Sequence, residues 1–224
     1  MINKSGNRLL VGMGVFAISL ITVPEARGTA SIVGVVELGD PPRRQRAVKR
    51  YSAGRPNPEA KPERPPAVVY LEGTFSDSGE APLDGRPRML QKNLQFVPAV
   101  LPVLVGTTVA FPNEDSVYHN VFSYASTRSF DLGRYRGTEG APTVTFDTPG
   151  AVSVFCEIHS HMRSVILVLE SPYFTVTDAG GTYRLKDLPA GAYVLKAWVN
   201  EKTEYSAEVT LKEGETLEVD FTKP

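Results

Sequence analysis

The chain holds a single cysteine, Cys156, and three histidines among its 224 residues. One cysteine excludes an intrachain disulfide, a binuclear thiolate-bridged copper centre and an iron–sulfur cluster, all of which need more thiolates. Long helix-period patterns are also missing. No segment is long and periodic enough for a βαβ crossover, so the sheets are expected to be antiparallel. Charge of either sign is not in excess: 24 basic and 25 acidic residues leave a net charge of −1, and nothing in that balance argues for nucleic acid. No apolar run reaches the ~20 residues that a bilayer span requires.

What stands at the N-terminus is shorter. Lys4 and Arg8 precede the uncharged, mostly apolar run Leu9–Val23, then Pro24 and the small residues Gly28 and Ala30. This order reads as a secretory signal over residues 1–30, cleaved after Ala30, with an uncleaved anchor as the alternative. After cleavage no stable membrane span is expected, and the protein is periplasmic or secreted. Cys156 would then sit in an oxidising compartment without a partner, so it is buried, paired between molecules, or ligated.

The body of the chain reads as all-β. Segments such as "AVVYLEG", "NLQFVPAV", "TTVAFPN", "YHNVFSY", "TVTFDTPG", "AVSVFCEI" and "SVILVLE" are short, rich in Val, Phe, Tyr or Thr, and bounded by Gly, Pro, Asn or Asp. Such spacing predicts a β-sandwich or barrel. Residues 89–170 hold about seven such strands and are expected to close a sandwich alone. The tail, 171–224, alternates through "GTYRLKDLPAGAYVLKAW", and Ala207, Val209 and Leu211 are expected to face Leu217, Val219 and Phe221 across a "KEGET" hairpin turn. The tail is small for an independent core. Residues 31–73 are therefore expected to supply its missing strands, with the middle domain inserted between. Within them, residues 41–66 carry seven prolines and eight basic residues and read as a mobile loop, either a docking arm for an acidic partner or a solvated insertion.

The chemistry gathers in seven residues. Cys156, His159 and Met162 lie at a C-x2-H-x2-M spacing in the turn between two predicted strands, and His119 lies 37 residues upstream at another strand. A buried Cys, a core Met and a surface His are each ordinary alone. Together they are the donor set of a mononuclear blue-copper site: two imidazoles and a thiolate in a plane, with a weak axial thioether. The thiolate and thioether suit Cu(I), and the imidazoles tolerate both Cu(I) and Cu(II). Structural zinc does not use Met. His161, next to Met162, is the alternative ligand, although the spacing favours His159. A thiol enzyme using Cys156 with a histidine base, a copper carrier or store without electron traffic, and a metal-free adhesive protein are the rival classes.

These motifs resemble the cupredoxins of the plastocyanin and amicyanin kind over residues 89–170. Phe96, Pro98, Gly106, Val109, Phe111 and Asn113 stand in the order of the family's opening strands. "FPNEDSVYHN" is similar to the segment that leads to the first copper histidine, here His119, and "FDTPGAVSVFCEIHSHM" to the segment with the other three ligands. The ligand spacing is that of amicyanins. The tail's "D-x-x-G-x-Y-x-L-x-x-L-P-A-G-x-Y" resembles the carboxypeptidase regulatory-like, transthyretin-like sandwich, and the two modules in this order resemble exported proteins labelled methylamine utilisation proteins. The resemblance implies a Greek-key cupredoxin sandwich beside a smaller β-sandwich, one copper per chain, and ligands His119, Cys156, His159 and Met162. It implies that the Asn120 backbone N–H donates to the Cys156 thiolate, while Asn113 and Glu114 tie their loop to the ligand turn. It implies a carrier of single electrons, not an enzyme, with His159 presenting a ring edge to a transient redox partner, a cytochrome or a dehydrogenase.

Overall fold

A computed structural model describes residues 29–39, 64–73, 75 and 86–222. Residues 1–28 of the predicted signal segment and nearly all of the basic, proline-rich segment lie outside the described residues; the last residue of that predicted signal segment, Ala30, is buried and opens the first strand.

The protein is all-β. Its strands are β1 (Ala30–Val35), β2 (Val68–Leu71), β3 (Leu90–Lys92), β4 (Gln95–Val97), β5 (Val100–Leu104), β6 (Thr107–Ala110), β7 (His119–Tyr124) and β8 (Ser129–Tyr135). There follow β9 (Thr143–Phe146), β10 (Gly150–Phe155), β11 (Arg163–Leu169), β12 (Phe174–Val176), β13 (Thr182–Leu188), β14 (Gly191–Asn200), β15 (Thr203–Leu211) and β16 (Thr216–Glu218). One 3-10 turn, Gly137–Glu139, interrupts them.

Strands β3 to β11 build the layer that carries the candidate ligands. A five-stranded sheet runs β5-β11-β10-β7-β8, and the pairs β6–β9 and β3–β4 lie opposite it. The alternation of β10 explains why. Val152 and Val154 point inward with Cys156 into one apolar core that also holds Phe111, Phe146, Ile166 and Met162. Ala151 and Val165 point outward. There they pack with Val68, Val100, Leu167, Leu169 and Trp198 in a second cluster. That cluster is the seam to the remaining strands, and a hydrogen bond from Ser153 to Glu201 closes its rim. Burying a side chain such as Leu167 contributes roughly 1.5–3 kcal/mol.

The other strands form two sheets, β13-β1-β16 and β12-β2-β14-β15, around a third core that includes Ile32, Leu71, Leu185, Leu195 and Phe221. Gly34 sits where β1 meets the returning chain. A Cβ there would stand 1.8 Å from the Val219 carbonyl oxygen, so only glycine fits.

The strand assignments differ from the sequence reading in four ways. The segment 89–170 holds nine strands rather than about seven, because Leu90–Lys92 and Ser129–Tyr135 are also paired and "NLQFVPAV" splits into β4 and β5 around the cis peptide Val97–Pro98. The sheets are not wholly antiparallel: β5 runs parallel to β11, and β1 to β16. In a sandwich the chain returns to a parallel neighbour through the opposite sheet, so no helical crossover is needed. β15 and β16 do not form a hairpin. The turn at Lys212–Glu215 carries the chain out of the β15 sheet into the β1 sheet, where the buried Ile32 offers β16 a parallel partner. The strand read through Ile158 ends at Phe155, which leaves Cys156 at the mouth of a loop.

Candidate metal centre

β7 opens with His119, and β10 and β11 form a hairpin whose loop is Cys156–Met162. The loop is closed from within. The Cys156 N–H donates to the Met162 carbonyl at 3.3 Å, and the Met162 N–H to the His159 carbonyl at 2.9 Å. β7 lies beside β10 in the sheet, so the start of one strand and the end of the other meet.

Three donor atoms converge there. His119 Nδ1 stands 3.0 Å from His159 Nδ1, and Cys156 Sγ stands 4.0 Å from each. A point equidistant from the corners of that triangle lies about 2.2 Å from each, close to the about 2.0–2.3 Å at which imidazole nitrogen and thiolate sulfur bind a small cation. The donor set therefore fits one mononuclear ion. Among the described residues this is the one such group of His, Cys or acidic side chains. Met162 is buried in the same core as Cys156. His161 stands apart: its side chain is exposed, its ring centroid is 6.1 Å from that of His159, and its Nε2 faces the Leu94 carbonyl at 3.1 Å.

The surroundings prepare these atoms. His119 is fully buried, and its Nε2 faces an Asp115 carboxylate oxygen at 2.9 Å. With Nε2 committed to the carboxylate, Nδ1 is the nitrogen that faces the centre, and in the neutral ring it offers its lone pair there. Asp115 is itself held by the Asn93 and Leu94 N–H groups, at 2.7 and 2.9 Å. Burial pulls the His119 pKa down, but hydrogen bonds to Cys156 and Asp115 more than offset this, and the net shift is upward. Burial pushes the Cys156 thiol up. The His119 ring and the backbone N–H groups of Asn120, His159 and Ile158 outweigh it and favour the thiolate. Burial and the charge of His119 lower His159.

Asn120 ties β7 to the ligand loop, because its side-chain carbonyl accepts the Glu157 N–H at 2.7 Å. Asn113 stands further back. Its amide donates to the carbonyls of Val117 and Tyr135, and its oxygen accepts the Asp115 N–H. It thus shapes the loop that presents Asp115. Gly137 allows this close approach: a Cβ there would stand 2.1 Å from the Asn113 carbonyl oxygen. Glu114 pairs with Lys92 at 3.0 Å.

Asp115 is the site residue that the sequence reading missed. The available signal was the Asn-x-Asp of an Asx turn, four residues before a histidine. Val117 and Tyr118, directly before His119, and Ile158, directly before His159, are large apolar side chains left exposed.

No protein-family model and no curated protein matches the chain. Among solved structures it is similar to the copper-containing nitrite reductase of Thermus scotoductus SA-01, at 25% identity over 44% of this chain and a TM-score of 0.36. The chain spans 25% of that enzyme's length. It is also similar to a mutant of amicyanin in its Cu(I) form, at 22% identity over 45% of this chain and 97% of that one, with a TM-score of 0.35. A purple cupredoxin from Nitrosopumilus maritimus is similar at 21% identity over 37% of this chain and 98% of that one, with a TM-score of 0.33. These likenesses reach less than half of the chain, and the reading of the site rests on its own atoms. Among the described residues no helix is long and apolar enough to cross a membrane.

Proposed function

We propose that the protein is an exported mononuclear blue-copper protein that carries single electrons between redox partners. The observation that supports this most is the triangle of two imidazole nitrogens and one sulfur at 3.0, 4.0 and 4.0 Å. His119, Cys156 and His159 would hold the ion, and Met162 would offer it a further, thioether sulfur. Bound copper would supply a one-electron couple between Cu(I) and Cu(II). The chain's own residues would do the rest. The apolar core that buries Cys156 and Met162 excludes water. Asp115 fixes the His119 tautomer. The backbone N–H groups around Cys156 stabilise the thiolate.

In this reading no bond to a substrate forms, so the protein is a carrier and not an enzyme. The partly exposed His159, with Val117, Tyr118 and Ile158 nearby in the chain, is the proposed electron port to a transient partner such as a cytochrome or dehydrogenase. We also propose that residues 89–170 are the cupredoxin domain. Residues 171–224, completed by strands from 31–73, would be the carboxypeptidase regulatory-like unit. The export reading rests on residues 1–30 and places the mature protein in the periplasm or outside the cell.

The test is the optical and electron paramagnetic resonance spectrum of the mature protein after addition of Cu(II). An intense visible thiolate-to-copper band with a small copper hyperfine splitting is expected. A colourless protein with an ordinary tetragonal Cu(II) signal sinks the proposal.

A further inference from the structure

The two segments that carry the candidate ligands, 113–119 and 156–162, are both tied to the turn between β3 and β4. That turn is unusual. Asn93 and Leu94 lie at φ 55° and 58°, a left-handed conformation that a hairpin ordinarily gives to Asn-Gly. Leu94 adopts it at a steric cost, and such strain persists where surrounding bonds over-determine the backbone. Three bonds do so here. The Asn93 and Leu94 N–H groups both donate to the Asp115 carboxylate, which also receives His119 Nε2. On the other side the Leu94 carbonyl faces His161 Nε2 at 3.1 Å. A ring nitrogen facing a carbonyl must donate, so Nε2 of His161 carries the proton and is committed to the turn.

From these contacts we infer that the β3–β4 turn is a brace that sets the spacing of the two ligand-bearing loops, and that His161 is the positioning residue that closes it. The inference rests on the copper reading for its consequence, not for its geometry. The path runs from His119 through Asp115 to the turn, and from the turn through His161 into the loop of Cys156, His159 and Met162. Its effect is to hold His159 opposite His119 before any ion arrives. The bond is local to an exposed ring, so removing it loosens the centre without opening the core. Groups hydrogen-bonded directly to a ligand, as Asp115 is to His119, change metal affinity by roughly 10–100-fold, and His161 acts on that arrangement one contact further out, through the turn.

The experiment compares the wild type with His161→Ala, which removes the donor, and His161→Gln, which restores an N–H donor. In the metal-free proteins, amide hydrogen exchange at Asn93 and Leu94 is expected to be several-fold faster in His161→Ala and restored towards the wild type in His161→Gln. After copper loading, His161→Ala is expected to release copper several-fold faster, up to about the tenfold that marks the loss of a direct partner of a ligand, with an altered hyperfine splitting, and His161→Gln to recover both. Unchanged exchange, or unchanged release with an unchanged spectrum, in His161→Ala overturns the brace while leaving the copper reading intact. Complete loss of copper in both variants makes His161 a ligand and also overturns it. If the wild type itself binds no copper, the copper reading fails, and the exchange comparison alone still decides whether the brace exists.

Discussion

His119 Nδ1 and His159 Nδ1 face each other at 3.0 Å. Two bare lone pairs at that distance repel, so the pair needs a proton or a cation between them. The raised pKa of His119 and the lowered pKa of His159 describe the proton case, with the charge held on the buried ring beside Asp115. In the proposed copper form an ion held by these rings would take the place of that proton, and several measurable consequences would arise from the exchange.

Cys156→Ser removes the soft donor and leaves the two imidazoles. The visible band disappears, while the metal-free protein keeps its sandwich because serine fits the space of cysteine. An unchanged spectrum of the copper-loaded variant overturns the assignment of the sulfur.

Met162→Leu keeps the donor atoms of His119, Cys156 and His159 and loses the thioether. The colour persists and the reduction potential rises, as read by voltammetry. Loss of all copper binding would show that Met162 does more than tune the site.

Acidification sets proton against metal. Copper affinity falls as pH drops through the raised His119 value, because the ring must lose its proton to bind. The metal-free protein behaves differently. Asp115 lies below its ordinary value: burial raises it, and the Leu94 N–H, the His119 ring and the Asn93 N–H outweigh that. Its contribution is therefore full above the ordinary carboxylate pKa and is lost as pH falls through the lowered folded value. The His119 contribution is present below the ordinary imidazole pKa and is lost as pH rises through the raised folded value. Metal-free stability thus peaks between the two, and thermal unfolding across pH measures it. A flat profile contradicts the hydrogen bonds of His119 to Cys156 and Asp115.

Trp198→Ala opens the seam. Trp198 is 7% exposed against Val68, Val100, Leu167 and Leu169. A loss of about 3–5 kcal/mol in denaturant unfolding is expected, with the transition broadening or splitting as the two halves uncouple. A loss below about 1 kcal/mol would mean that the seam contributes little.

Asn120→Ala leaves the Glu157 N–H without its acceptor, at a cost of about 0.5–1.5 kcal/mol, while the Asn120 backbone N–H still reaches the sulfur. Copper colour is retained, and hydrogen exchange at Glu157 rises. Lost colour would mean that the side chain itself orients the ligand loop.

The all-β class was legible in the sequence because strand alternation and turn residues are contiguous signals, each read within about ten residues. The grouping of Cys156, His159 and Met162 was legible for the same reason: a hairpin loop holds its members together by chain length alone. Other features were not, because a hydrogen-bond partner is chosen by packing across the molecule. The parallel pairs β5–β11 and β1–β16, and the departure of β16 from β15, depend on which buried edge each strand can reach. Asp115 meets Asn93 and Leu94 across 22 and 21 residues, and His161 meets Leu94 across 67. The sequence by itself determined which donor atoms are available and that short strands would carry them. Only the tertiary structure decided where they point, because the direction of an imidazole lone pair is set by what holds its other nitrogen: for His119 that is a carboxylate, and for His161 a carbonyl on a distant turn.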